Sequence, residues 1–269
     1  MWVIMKANEK VGQMPCQLIG YYSSRKENLM KDFDRTCLLM TESLIARYDD
    51  KLANLLLREA RWEYEKLIPE IPHIEGWRAR MLNSFLLITA QELAVYKAIK
   101  REGKPPEEAW ELCHKALRLR VAEIPRWKRW LLKQFMFSTL VKKVMARRSK
   151  QPPTCFGDFE VEYLISEEGD FDVGVNYLQC GNYRFAVKHG GEAFGPYICM
   201  SDIALSDAMG WGLMRTQTLA DGCDYCDFRM KKGAATKISS KTPEVQRTIE
   251  RIHQAEVKQN ASVDGGHHH

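Results

Sequence analysis

Along the first 150 positions apolar residues recur every three or four places, the spacing of helices that bury one stripe, and after Gln151-Pro152-Pro153 the period falls to two. Ser23 or Ser24 offers an N-cap to a long helix through Leu29, Phe33, Cys37, Met40, Leu44 and Tyr48. Asp49 and Asp50 open a second helix, with Leu52, Leu55, Leu56, Ala60 and Leu67 facing inward, and Pro69 and Pro72 end it. A third follows Gly76 with the stripe Trp77, Met81, Phe85, Ile88, Leu93 and Tyr96, and Gly103 stops it. Pro105 and Pro106 begin a fourth, where Glu107 and Glu108 suit the positive end of the helix dipole. Residues before about 23 read as irregular, with a short extended piece at 17–22.

Beyond the proline boundary, Phe159, Val161, Tyr163 and Ile165 alternate with Glu160, Glu162 and Leu164. Phe171, Val173, Val175 and Tyr177 do the same after the turn at 167–170, which predicts a β-hairpin. Two short helices are expected at 183–189 and 197–209, closed by Gly210, and a second strand pair at 213–219 and 225–231. The fold class is therefore α+β: an all-helical N-terminal half packed on a C-terminal ββααββ unit with an antiparallel sheet. The expected units are a helical domain (1–150), an α+β domain (151–233), a peripheral segment (234–260) and a tail (261–269) that reads as an expression tag.

Composition adds little to the class: 45% hydrophobic and 28% charged residues over 269 positions describe an ordinary globular chain. No apolar run approaches the length of a membrane span, and Met1 to Met5 lack the features of a secretory signal, so a cytoplasmic protein is expected. Eight scattered cysteines fit reduced thiols better than a disulfide framework. Histidines outside the tail are His73, His114, His189 and His253. The net charge of +5 is uneven: Arg126, Lys128, Arg129, Lys133, Lys142, Lys143, Arg147, Arg148 and Lys150 occur with no acid among them. That block reads either as a surface for nucleic acid or anionic lipid, or as a helix with one solvated basic face and a core stripe of Trp130, Leu131, Phe135, Leu140 and Val144. The second reading is preferred, with no nucleic-acid partner.

Candidate chemistry gathers at 156–232. Cys180 ends the second strand before Gly181-Asn182, as an exposed reactive thiol or a buried filler. Cys199 and Asp202 are three apart at a helix start, where the dipole favours a thiolate. Cys223 and Cys226 have the spacing of a metal or redox pair that Cys180 and Cys199 would complete; otherwise no cofactor is expected. His189 is a base or a helix-end residue, and Arg215, near Thr216 and Thr218, is a carboxylate clamp or a partner of Asp202 or Glu192. In the helical half, His73 and Asn83 are polar groups near packing surfaces. No Walker loop, dinucleotide fingerprint, zinc-protease motif or serine elbow occurs.

The sequence resembles the L-2-amino-thiazoline-4-carboxylic acid hydrolase family over most of residues 50–232. The likeness lies in Ile71-Pro72-His73-Ile74-Glu75-Gly76, Leu93-Ala94-Val95-Tyr96 and Cys180. It continues in Gly195-Pro196-Tyr197-Ile198-Cys199-Met200-Ser201-Asp202, then Arg215-Thr216-Gln217-Thr218-Leu219-Ala220-Asp221-Gly222 and Cys226-Asp227-Phe228. Glu75 stands where a second glycine is usual, and Cys223 where a small or acidic residue is common. The resemblance implies hydrolysis at a C–N bond of a small cyclic amidine or thiazoline carboxylic acid, giving a carbamoyl-cysteine-type product. On that reading Cys180 or Cys199 is the nucleophile and Asp202 or His189 moves protons, while Arg215, Thr218, Asn83, His73 and Cys226 hold the substrate. The cysteine-bearing half also looks like four-vinyl reductase domains, which implies a small-molecule- or metal-binding protein instead. Oligomeric state is left open between monomer and homo-oligomer.

Overall fold

The computed structural model describes residues 17–76 and 79–264. The readings of residues 1–16, of Trp77 and of the tail past 264 lie outside the described residues, as does the side chain of His253. The fold is α+β, with helices filling the N-terminal half and a mainly antiparallel sheet in the C-terminal half. A two-residue pairing of β1 (Gln17–Leu18) with β2 (His73–Ile74) ties the start of the chain to the entry of the third helix.

Helices α1 (Lys26–Arg47), α2 (Asp50–Leu67), α3 (Arg80–Arg101) and α4 (Pro106–Ala122) form the first layer. Asp49 caps α2 by accepting the Leu52 N–H at 2.7 Å. Neither Ser23 nor Ser24 caps α1. Both lie in a 3-10 turn (Ser23–Arg25), and the Ser24 hydroxyl points back to the Tyr21 carbonyl. Prolines begin α4 as expected, with Glu107 and Glu108 in its first turn.

The third helix departs from a one-stripe pattern. Met81 is exposed, whereas Thr89, Gln91 and Glu92 are buried together with Ala90, Leu93, Ala94, Val95, Tyr96, Ala98 and Ile99. A helix wrapped on nearly every side must take its polar residues into the core, and each then needs a partner. Gln91 finds Thr36 at 3.1 Å and Asp32 at 2.9 Å. Asn83 pairs with both backbone groups of Ile74, at 2.9 and 2.7 Å, and so fixes β2 to α3.

The basic stretch is two helices, α5 (Arg126–Met136) and α6 (Thr139–Arg148), broken where Ser138 caps α6. The expected core stripe is not a core: Trp130, Leu131, Phe135, Leu140 and Val144 are all exposed. Among the described residues of α5 none is buried.

Strands β3 (Thr154–Phe156), β4 (Phe159–Leu164) and β5 (Val173–Gln179) lead into α7 (Gly181–Lys188), α8 (Gly195–Ile198) and α9 (Ser201–Met209). Strands β6 (Leu213–Arg215), β7 (Cys226–Met230) and β8 (Lys237–Ile238) complete a sheet of order β3-β4-β5-β7-β6-β8. All pairings are antiparallel except β6 with β8. The ββααββ order is thus present with an added strand at each edge and three helices where two were expected. Gly210 ends α9 in the left-handed conformation (φ 63°). The segment expected to be peripheral forms α10 (Pro243–Asp264), whose Val245 and Ile249 enter the main core, while Thr248 donates to Glu107 at the head of α4.

The core is continuous across the two halves: Leu86, Leu93 and Tyr96 of α3 belong to one cluster with Phe159, Phe185, Phe194 and Ile203. The Tyr96 and Phe194 rings stack at 4.7 Å. Replacing Asn83 by Ala leaves two buried backbone groups of Ile74 unpartnered, so Asn83→Ala should lower unfolding stability by about 2–4 kcal/mol in a urea titration. A surface control such as Ser84→Ala should change it by less than about 0.5 kcal/mol.

Candidate functional site

Between α3 and the sheet lies a cavity of about 80 Å³. That is room for several waters or one compact molecule. Its walls are mostly apolar: Phe85 and Ile88 from α3, Phe159 from β4, Tyr177 from β5, Phe228 from β7 and Leu205 from α9. The polar groups reaching it are Glu92, Cys180, Asn182, Cys199, Ser201, Asp202, Arg215 and Cys226.

Local structure places these groups. Strand β5 ends at Gln179 and α7 begins at Gly181, which sets Cys180 at the corner. A Cβ on Gly181 would come within 2.5 Å of the Phe159 ring, so only glycine lets the corner close on β4. Cys199 caps the C-terminus of α8, and Asp202 lies in the first turn of α9. Cys199 is therefore at a helix C-terminal end, the opposite of the dipole environment expected for a thiolate. Cys226 begins β7, and its sulfur accepts the Leu219 N–H at 3.2 Å.

Arg215, at the end of β6, is 2% exposed. Its Nη1 bonds Asp202 Oδ2 and donates to the Cys199 carbonyl at 2.8 Å. Of the roles open to it, the observed contact is the ion pair with Asp202. Ser201 donates to Glu92 Oε1 at 2.6 Å. Three polar atoms on this one cavity have no partner: Glu92 Oε2, Asn182 Oδ1 and Arg215 Nε. Buried polar atoms are nearly always satisfied, so three orphans facing one space mark it as a place for a polar guest.

The electrostatics separate the two carboxyl groups. Burial pushes Glu92 up to about 8, the Ser201 hydrogen bond opposes this, and the nearby Asp202 charge adds to it. Glu92 is thus mainly a neutral acid at pH 7. Burial raises Asp202 as well, and the Arg215 charge and hydrogen bond offset only part of that rise; Glu92 has no cation to oppose its burial. The thiols are held protonated. Burial raises Cys180 to about 12 and Cys226 to about 12, and burial raises Cys199 as well, against the pull of Arg215.

Five of the residues singled out in the sequence meet at this cavity: Cys180, Cys199, Asp202, Arg215 and Cys226. Four do not. His189 ends α7 and packs on Phe185, away from the cavity, because its helix turns that end toward Glu70 and Lys97. Thr218 is buried but caps the 3-10 turn Leu219–Asp221, bonding Asp221. Asn83 is spent on Ile74, and His73 stacks on Tyr21 at 3.5 Å with Tyr22 as its hydrogen-bond partner. Cys223 does not line the cavity, and among the described residues no group of three or more His, Cys, Asp or Glu is placed to hold a metal ion.

Glu92, Ser201 and Asn182 were missed. Glu92 carried a readable signal: it stands four places after Ile88 and four before Tyr96, at the position of a stripe residue, where a carboxylate is out of keeping with helix amphipathicity. Ser201 and Asn182 carried none beyond adjacency to Asp202 and Cys180.

The fold and the site together define an α+β protein with a polar-ringed cavity sunk between a helix and the sheet. The chain belongs to the L-2-amino-thiazoline-4-carboxylic acid hydrolase family, whose sequence model matches residues 84–230. The match holds every cavity residue named here, but not the 71–76 motif. No curated protein and no solved structure matches the chain.

Glu92 generates a stability test. Its proton affinity is higher folded (about 8) than in the ordinary carboxyl range (4.5), so the folded state holds more protons between those values. Its contribution should be full below about pH 4.5 and lost as pH rises through about 8. Thermal unfolding across that window should show wild type losing stability relative to Glu92→Gln, whose midpoint lacks this pH-dependent component.

Proposed function

We propose that the cavity is the active site of a hydrolase that opens a small cyclic amidine or thiazoline carboxylic acid at a C–N bond. The observation that carries this reading is the meeting, around one small cavity, of two carboxyl groups in unlike settings: Glu92, buried beside a hydroxyl, and Asp202, paired with the Arg215 guanidinium. Groups whose environments drive their proton affinities apart are how an enzyme runs acid and base chemistry at one pH. Family membership supports the substrate class.

In the proposed cycle Asp202, held by Arg215, takes a proton from water as its oxygen bonds to the ring carbon between sulfur and nitrogen. Glu92, oriented by Ser201, gives its proton to the ring nitrogen; as the adduct collapses, its hydroxyl proton passes to the Glu92 carboxylate and the proton on Asp202 passes to the ring nitrogen, so that the C–N bond breaks to leave a carbonyl and a free amine. The product is an S-carbamoyl (thiocarbamate) amino acid with a free amine, and Asp202 and Glu92 are back in their starting protonation states. Arg215 Nε and Asn182 Oδ1, both without partners, suit the substrate's carboxylate and its amidine N–H groups. Nucleophilic attack by Cys180 or Cys199 is the less favoured route, because burial holds both as thiols.

Incubation with 2-aminothiazoline-4-carboxylate, followed by mass spectrometry, should reveal ring opening. Glu92→Gln and Asp202→Asn should each lower kcat by about 10²–10⁴-fold. Wild-type turnover should fall as pH rises through about 8, where Glu92 loses its proton. A drop of that size in Cys180→Ala and Cys199→Ala, with Glu92→Gln fully active, would shift the mechanism to a thiol. Tight binding without turnover would instead support the small-molecule-binding alternative.

A further inference from the structure

Helix α5 turns its amphipathicity inside out. On α5, Trp127, Leu131 and Phe135 fall at i, i+4 and i+8 and form one face. That face points to solvent: Trp127 is 60% exposed, Trp130 58% and Phe135 61%. The apolar ridge continues on α6 with Leu140, 65% exposed, and Val144. The side of α5 turned to the protein is polar as far as Gln134, while Met136, Phe137, Val141 and Met145 anchor the end of α5 and the inner side of α6 in a small apolar cluster with the sheet. Arg129 donates to the Ala208 carbonyl at 3.3 Å, the Lys133 chain lies against Gly210, and Gln134 accepts from Lys232 at 2.7 Å.

Folding a chain with its aromatic ridge outward costs hydrophobic stabilisation unless something covers the ridge. The charge around the ridge identifies that cover. Nine cations and no acid occupy 126–150, and among the described residues only Lys142 of these has an acidic partner, Asp172. A second copy of the same face would set like charges against each other. A nucleic acid would meet the cations but would gain little from a Trp, Leu and Phe ridge. An anionic lipid interface rewards both, since tryptophans favour the headgroup level and long basic chains reach phosphate while their stems lie on apolar surface.

We propose that α5–α6 is a docking surface for an anionic membrane, on which the protein rests peripherally. No helix of the described residues is long and apolar enough to span one, so the contact is with the surface alone. The proposal is independent of the reaction at the cavity, which it leaves unchanged.

Co-sedimentation of the full chain tests it, using phosphatidylcholine vesicles with and without about 30 mol% phosphatidylglycerol. Binding should require the anionic lipid and weaken at least about tenfold between roughly 0.05 and 0.5 M salt. Two double variants separate the contributions: Trp127→Ser with Phe135→Ser, and Lys143→Glu with Arg147→Glu. All four positions are exposed, so both variants should fold, and each should lose about tenfold in partitioning. No sedimentation, equal binding to neutral vesicles, or binding unaffected by both variants overturns the proposal. So does a concentration-dependent dimer in sedimentation velocity that the apolar variant abolishes while vesicles fail to bind wild type, which would give the ridge to a second copy.

Discussion

The contact on which the site depends is the ion pair between Arg215 and Asp202. A guanidinium that is 2% exposed must be compensated, and compensation comes from the first turn of α9 and from the carbonyl that ends α8. Those two bonds set the corner between α8 and α9 over the end of β6. Cys199 and Ser201 are carried into place by that corner, and Ser201 in turn orients Glu92. Removing one partner of such a pair generally costs about 3–5 kcal/mol, so the geometry is strongly held. The same pairing offsets part of the burial that raises Asp202, an opposition that Glu92 lacks.

The second constraint is the burial of α3 between the helical layer and the sheet. Most of its length from Thr89 to Ile99 has no solvent face, so each polar side chain on it is either tied or left as an orphan beside the cavity. Gln91 and Asn83 are tied; Glu92 is tied at one oxygen only. The helical half thus contributes to the chemistry through the most buried part of its central helix, rather than through His73 on the β1–β2 ribbon.

Much of the fold was legible because it rests on local rules. The Asp49 cap, the prolines that open α4, the change of period at 151–153 and the strand alternation of Phe159 and Val161 are decided by neighbours in the chain. The errors share one cause: a pattern tells which residues form a face, not what lies against it. The stripe Trp130, Leu131 and Phe135 was a correct face of α5, and it is turned to solvent. Met81 was assigned inward and is exposed, while Glu92, passed over, is inside.

The candidate site divides in the same way. Motif and residue type brought forward Cys180, Cys199, Asp202, Arg215 and Cys226, but equally His189, Thr218 and Cys223 of the same segment, which stay off the cavity. What those groups are chemically was beyond the sequence. Burial makes the thiols neutral, the Arg215 contact sets Asp202 apart from an unpaired buried acid, and the meeting of α3 with α9 brings in Glu92 from 109 positions before Ser201. The sequence by itself determined most of the elements, their class and the family; the tertiary structure alone decided which side chains share a low-dielectric space and therefore which of them hold a proton.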